Sequence, residues 1–203
     1  DTNRLLNVST SVPPAAAIDA ALGVLAAAKS PVIVAGNGVR ISKAFDSLAA
    51  VADTLGAPVV TTVLGKGAIA ETHDMAAGPM GYTGLPLANE IVGMADTILV
   101  VGSRLKPQDT CFEHPQMFDP NRQRIVQIDI EPRNASWTIP AEVALAGDAD
   151  ETLKLMLAGL SGRLDTANVA ARRKALIDLK AARNFFADPM LTSTNVPIVP
   201  QRL

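Results

Sequence analysis

Cysteine occurs once, at position 111, in a chain of 203 residues. A lone thiol excludes an intrachain disulfide framework and fits a reducing cytoplasm. Aromatic residues make up only 3% of the sequence, so most of the 48% that is hydrophobic comes from Ala, Val, Ile and Leu. Such a core suits helices packed on a sheet better than a β-sandwich. Positive charge is not in surplus: 18 Lys and Arg against 20 Asp and Glu leave a net charge of −2. That balance excludes a broad electrostatic attraction to nucleic acid. No apolar run approaches the roughly 20 residues that span a bilayer, and no charged-then-apolar leader opens the chain. An initiating Met is missing as well, because the chain begins Asp1-Thr2-Asn3, and the expectation is a piece of something longer.

What the sequence does have is a run of branched apolar residues, Ile98, Leu99, Val100 and Val101, leading into Gly102-Ser103-Arg104. An unbroken run of this kind reads as a strand buried on both faces, the habit of a parallel sheet covered by helices. In open α/β sheets, ligands sit beyond the carboxyl ends of the strands, where the strand order reverses. Residues 31–35 form a second such run, closing in Gly36-Asn37-Gly38. Further strands are expected over 57–62, near 75–78, over 124–130 and over 142–146. Helical spacing links Ile18, Leu22 and Leu25 after Pro13-Pro14. It also links Phe45, Leu48, Ala52 and Leu55 behind a Ser42 N-cap, and then Leu87, Ile91 and Met94. Asp148 is expected to cap a helix with Leu153, Met156, Leu157 and Leu160 inside and acids in its first turn. Between residues 105 and 123 the pattern lapses, and a loop of that length is usually functional or mobile. The alternation predicts an α/β fold: a three-layer, doubly wound parallel sheet of about six strands, of the Rossmann-like NAD/FAD-binding kind. Residues 1–12 read as a linker arm, 13–160 as the dinucleotide-binding-like domain, and 161–203 as a helix and interdomain connector. The helix is basic on one side (Arg172, Arg173, Lys174, Lys180, Arg183) and is expected to pack on partners outside this chain.

Few residues suggest chemistry. Gly36-Asn37-Gly38 lacks the third small residue of a dinucleotide fingerprint, since Ile41 stands there, and no acid closes the second strand. A standard NAD site is disfavoured, leaving a phosphate cradle or a tight turn. Gly65-Lys66-Gly67 fails as a phosphate loop because neither Ser nor Thr follows the Lys. Cys111 and His114 have half a zinc spacing without a second pair, and His73-Asp74 has no nucleophile to serve. More informative are Arg104, able to hold a phosphate or stack on a base, and Asp129, able to accept from a ribose or an adenine amino group. Both lie at expected neighbouring strand ends.

A wider pattern now comes into view. In one order the chain carries Ala35-Gly36-Asn37-Gly38-Val39, Pro58 through Gly67, Gly78-Pro79-Met80-Gly81-Tyr82-Thr83-Gly84, Ala88-Asn89, Ala95-Asp96, Val101-Gly102-Ser103-Arg104, Gln127-Ile128-Asp129-Ile130-Glu131-Pro132 and Gly147-Asp148-Ala149. This resembles the central domain of thiamine diphosphate-dependent enzymes, in the acetolactate synthase-like group of carboligases and decarboxylases. The resemblance implies a transferase or lyase as parent, with thiamine diphosphate and magnesium bound by two further domains of the parent chain, which would be a homodimer or homotetramer. It implies no catalysis by this domain alone, and FAD, ADP or CoA in its cleft, or nothing. Carried over by motif, Gly36, Asn37 and Gly38 would form the turn near the phosphates, and Met80, Gly81 and Tyr82 a loop along a flavin. Gly102, Ser103 and Arg104 would contact the nucleotide, Asp129 and Ile130 its adenosine, and Asp148 and Ala149 the adenine. Where FAD-containing synthases read Gly-Ala-Arg-Phe-Asp-Asp-Arg, this chain has Leu105-Lys106-Pro107-Gln108 after Arg104, without the acids or the second Arg. The alternative is a free-standing FAD- or NAD-binding enzyme domain of electron-transfer-flavoprotein or deacylase type. Neither reading places the protein at a membrane or on nucleic acid, and both place it in the cytoplasm.

Overall fold

Branched apolar runs become the centre of the sheet. In the computed structural model, which describes residues 10–183 and residue 194, β1 (Pro31–Ala35) and β4 (Thr97–Val101) are buried at every position. They pair in parallel with Ile33 opposite Leu99. Outward from β1 lie β2 (Val59–Thr61) and β3 (Ala76–Pro79); outward from β4 lie β5 (Arg124–Asp129) and β6 (Val143–Ala146). All five pairings are parallel, in the order β3-β2-β1-β4-β5-β6. The order therefore reverses between β1 and β4, and the expected doubly wound α/β sheet is what the chain forms. β6, at the edge, is buried fully only at Leu145, as a border strand should be.

Helices cover this sheet: α1 (Ala15–Ala26), α2 (Asn37–Ile41), α3 (Phe45–Leu55), α4 (Pro86–Met94), α5 (Ala149–Leu160) and α6 (Thr166–Ala182). Asp148 caps α5 as expected, its carboxylate accepting from the N–H groups of Asp150 and Glu151. The two helices α5 and α1 approach closely at Gly159, where an added Cβ would meet the end of the Leu22 side chain at 2.3 Å. Two helical expectations are corrected. Ser42 does not cap α3: the five-residue α2 intervenes and Ser42 ends it, its hydroxyl accepting instead from the N–H of Asp150. The inner face of α3 is Ser47, Leu48, Val51, Ala52 and Leu55, leaving Phe45 40% exposed at its first turn. Met94, at the last turn of α4, is exposed too.

The segment from 105 to 123 has no regular structure, yet it is anchored. Leu105, Met117 and Phe118 are buried, and the Gln123 side chain donates to the carbonyls of Val92 and Met117. Helix α6 corrects a further expectation in part: Arg172, Arg173, Lys180 and Arg183 reach the chain's own domain, while Lys174 is exposed and pairs with Asp178 in the same helix. Arg172 donates to the carbonyls of Ala28, Lys29 and Leu55, where α1 and α3 end. Arg173 pairs with Asp53, Arg183 pairs with Glu90, and Lys180 donates to the carbonyls of Asp74 and Ala76. These carbonyls are far apart in sequence and come together only where β1, β2 and β3 begin. Residues 1–9 of the expected arm, together with Phe185, Phe186 and nearly all of the expected connector, lie outside the described residues. No helix among the described residues is long and apolar enough to cross a membrane.

Candidate functional site

At the reversal point two turns meet, one after β1 and one after β4, and both are built of glycine. A Cβ on Gly36 would lie 2.3 Å from the carbonyl oxygen of Gly102, and a Cβ on Gly38 would lie 2.5 Å from the Gly102 Cα. Gly102 itself has φ +62, a conformation that glycine adopts without the cost of a Cβ. The Gly38 N–H donates to the Gly102 carbonyl at 3.0 Å. The group that approaches a pyrophosphate in a dinucleotide fold is thus engaged by the neighbouring turn. Of the two readings of Gly36-Asn37-Gly38, the contacts favour the tight turn, with glycines that let two backbones touch.

Beside this junction lies a cleft of about 410 Å³. Asn37, Gly38, Gly102, Ser103, Arg104, Asp129, Ile130, Asp148 and Ala149 all line it, so nine of the residues singled out from sequence share one concavity. Gly36 is buried behind it. Met80, Gly81 and Tyr82 are not among its lining residues. The Met80 side chain is fully buried, Gly81 exchanges hydrogen bonds with the Asn89 side chain, and the exposed Tyr82 ring meets Phe112 edge to face at 5.9 Å.

The polar groups of the cleft are arranged from below. Asp129, 8% exposed at the end of β5, accepts through Oδ1 from the Glu131 N–H and from the Asn134 side chain. Buried Gln127 joins two loops: its amide donates to the carbonyls of Ser103 and Asn134, and its oxygen accepts from the Ser136 N–H. That clamp, with a Thr138 hydroxyl donating to the Arg104 carbonyl, brings the Arg104 guanidinium to 5.0 Å from the centre of the Trp137 ring. Opposite, Ile41 is 74% exposed and Ile130 62% exposed, giving the cleft apolar rims. Lys106 and Asp109 complete one wall. Asp109 is nearly buried, and desolvation raises its carboxyl above the ordinary range despite the charge of Lys106 and a backbone hydrogen bond from it. Trp137, Gln127 and Asp109 escaped the sequence reading as site residues. Nothing in the spacing of Trp137 relates it to Arg104; the strand register that places β5 beside β4 does.

Reactive groups are sparse among the described residues. Cys111 is a free thiol raised by burial, which makes it a poor nucleophile. His73 lies 3.6 Å from Asp53 on the far side of the sheet, near the start of β3. No group of three or more His, Cys, Asp or Glu among the described residues is arranged to hold a metal ion. Among the described residues the donor set does not fit a magnesium diphosphate.

Fold and cleft together define an α/β domain of doubly wound, Rossmann-like architecture with a cleft at the reversal of strand order. The chain belongs to the thiamine pyrophosphate enzyme central domain family, whose model matches residues 18–156. It is 34% identical to the sulfoacetaldehyde acetyltransferase of Roseovarius nubinhibens over 82% of this chain and 28% of that protein. With the acetolactate synthase isozyme 3 large subunit of Escherichia coli it shares 35% identity over 71% of this chain and 25% of the relative. A crystal structure from Mycobacterium smegmatis, described as a thiamin diphosphate-dependent enzyme, superposes with a TM-score of 0.62 at 26% identity, covering 78% of this chain and 30% of that one. The chain therefore spans less than a third of the proteins it matches. These matches favour the thiamine diphosphate reading over the electron-transfer-flavoprotein or deacylase alternative.

Proposed function

We propose that this chain serves as the central domain of a thiamine diphosphate-dependent carboligase or decarboxylase acting on a 2-oxo acid or a related acyl donor. Residues 13–160 form the domain proper, with 161–203 leading toward the next domain of the parent. Thiamine diphosphate and magnesium are held by the two flanking domains, in a homodimeric or homotetrameric cytoplasmic enzyme. The central domain orients those neighbours and grips an adenine nucleotide (FAD, ADP or the adenylate end of CoA) in its cleft.

The observation that carries this reading is the carboxyl edge of the sheet. It offers apolar walls, two cations and strand-end acids, but no nucleophile with a base beside it among the described residues. Around it, the loops after β1 to β5 expose Ile41, Leu64, Tyr82, Phe112, Ile130 and Trp137. Exposed large apolar side chains gathered on one edge mark a surface that meets another protein surface, and the flanking domains of the parent supply one. Calorimetric titration tests the reading. The chain is expected to bind ADP, CoA or FAD, to give no heat with magnesium and thiamine diphosphate, and to leave pyruvate unconsumed. Turnover by the chain unaided would overturn it.

A further inference from the structure

We propose that Asn37-Gly38 is a latent site of spontaneous covalent modification, at which the asparagine loses its amide by ring closure onto the Gly38 nitrogen, and that the contact between the two glycine turns keeps this site shut. The proposal is independent of any ligand of the cleft.

The sequence singles out the position. Asn37 is the only asparagine in the chain that is followed by glycine. Glycine has no Cβ to shield its backbone nitrogen or to restrict the dihedrals that ring closure needs. Asn37 lines the cleft and is half-buried. Among the described residues no hydrogen bond engages its side chain. The amides of Asn89, Asn134 and Asn168, by contrast, donate to the Gly81 carbonyl, to Asp129 and to Asp165.

The chemistry needs only water. The Gly38 backbone nitrogen attacks Cγ of Asn37, and an N–Cγ bond forms as the Cγ–Nδ2 bond breaks. Nδ2 leaves as ammonia, taking the proton of the Gly38 amide with it. Water then opens the five-membered imide at either carbonyl. One opening gives aspartate; the other gives isoaspartate, with the main chain rerouted through Cγ. Nothing is oxidised or reduced.

Two features of the fold oppose the first step. The Gly38 N–H, whose proton must leave, donates to the Gly102 carbonyl at 3.0 Å. That acceptor is itself held, because the Gly102 N–H donates to the Ile128 carbonyl at 2.8 Å. Asn37 is also the first residue of α2, and ring closure needs a ψ outside the helical range. The same contact resists repair. A Cβ on Gly38 would lie 2.5 Å from the Gly102 Cα, so the turns have no spare room, and isoaspartate inserts a methylene into the backbone where they touch. Conversion therefore turns a reversible opening of the junction into a permanent one.

The test incubates the 203-residue chain at mildly alkaline pH, native and in unfolding urea, and follows residue 37 by peptide mapping and mass spectrometry. Conversion in urea should be at least about tenfold faster than in the native chain, because the native rate is scaled down by the fraction of chains whose junction is open. After return to native buffer, converted chains should melt below unconverted ones. An Asn37→Gln chain held in the same urea should not convert at this position, a comparison that needs no folded variant. Equal rates with and without urea would overturn the proposal, as would an unconverted Asn37 in urea or an Asn37→Gln chain that converts as fast. Converted chains that melt like the parent would overturn the claim that the junction cannot close again.

Discussion

The two edges of one sheet are finished in opposite ways. Along the amino edge, α6 crosses the starts of β1, β2 and β3, and its cations meet the carbonyls that α1, α3 and the β3 approach leave there. Along the carboxyl edge the glycine turns satisfy each other, and the side chains beyond them are left exposed or free. Orphan carbonyls at helix ends must find partners or water. One edge finds them within the chain, although an apolar hollow of about 230 Å³ remains beside α6; the other leaves cations and apolar rims exposed. The two edges thus differ in what they leave exposed, although both belong to the same strands.

The sharpest way to break this contrast is at the junction of the turns. Gly36→Val forces a side chain into the Gly102 carbonyl, with no flexible neighbour able to give way. The expected loss is about 3 kcal/mol of stability or more, read by urea unfolding. Gly67→Ala is the control: its φ of +84 is strained for a side chain, but nothing lies within 4 Å of the added atom. It should cost only about 1 kcal/mol. Similar losses at both glycines would show that backbone conformation, rather than contact between the turns, fixes the junction.

Gln127→Leu comes next. It removes three hydrogen bonds that are buried or half-buried and leaves the Ser103 carbonyl without its amide partner. A loss of about 2 kcal/mol follows from stranding buried polar groups. Altered Trp137 emission should accompany it, because the clamp that sets the ring on Arg104 is gone. A destabilised variant with unchanged emission would separate the stack from the clamp.

On the amino edge, Arg172→Leu leaves the carbonyls of Ala28, Lys29 and Leu55 without their donor. Desolvation lowers the Arg172 pKa, so part of what these bonds contribute is offset by the cost of burying the charge. The net loss should be about 1–2 kcal/mol, and ADP binding at the opposite edge should not change. A fall in ADP affinity would mean that the two edges communicate through the sheet.

How much of this was legible in the sequence follows the physics of each element. β1 and β4 announced themselves because strands buried on both faces need branched apolar residues without interruption. The cleft residues were found by motif, and the sheet register brought nine of them together. Helix α2 was missed because five residues carry no period, and its absence from the reading turned Ser42 into a false N-cap for α3. The basic side of α6 looked like a surface for outside partners because a charge pattern says nothing about distant carbonyls. Only the folded chain lines up Ala28, Leu55 and Asp74 along one helix, the first two at Arg172 and the last at Lys180. Trp137 had no signal of its own, since its meaning lies in a neighbour 33 positions away across β4 and β5.

The smallest effect belongs to Asp109, and it tests whether the open edge carries a cost for its openness. Burial holds this carboxyl above its ordinary value of 3.8, so the folded chain binds its proton more tightly than the unfolded chain does. Stability therefore falls as the pH rises from 3.8 through the folded-state value, and above that window the ionised carboxylate is a fixed penalty. Asparagine imitates the protonated acid without titrating. Asp109→Asn should melt higher than the parent chain near pH 7, by on the order of 1–2 °C. The gain should shrink as the pH falls toward 4 and vanish below it, where the aspartate is protonated in both states. An equal gain at all pH values would assign the effect to packing. A loss near pH 7 would mean that the charge is wanted in place, balancing Lys106 on the cleft wall.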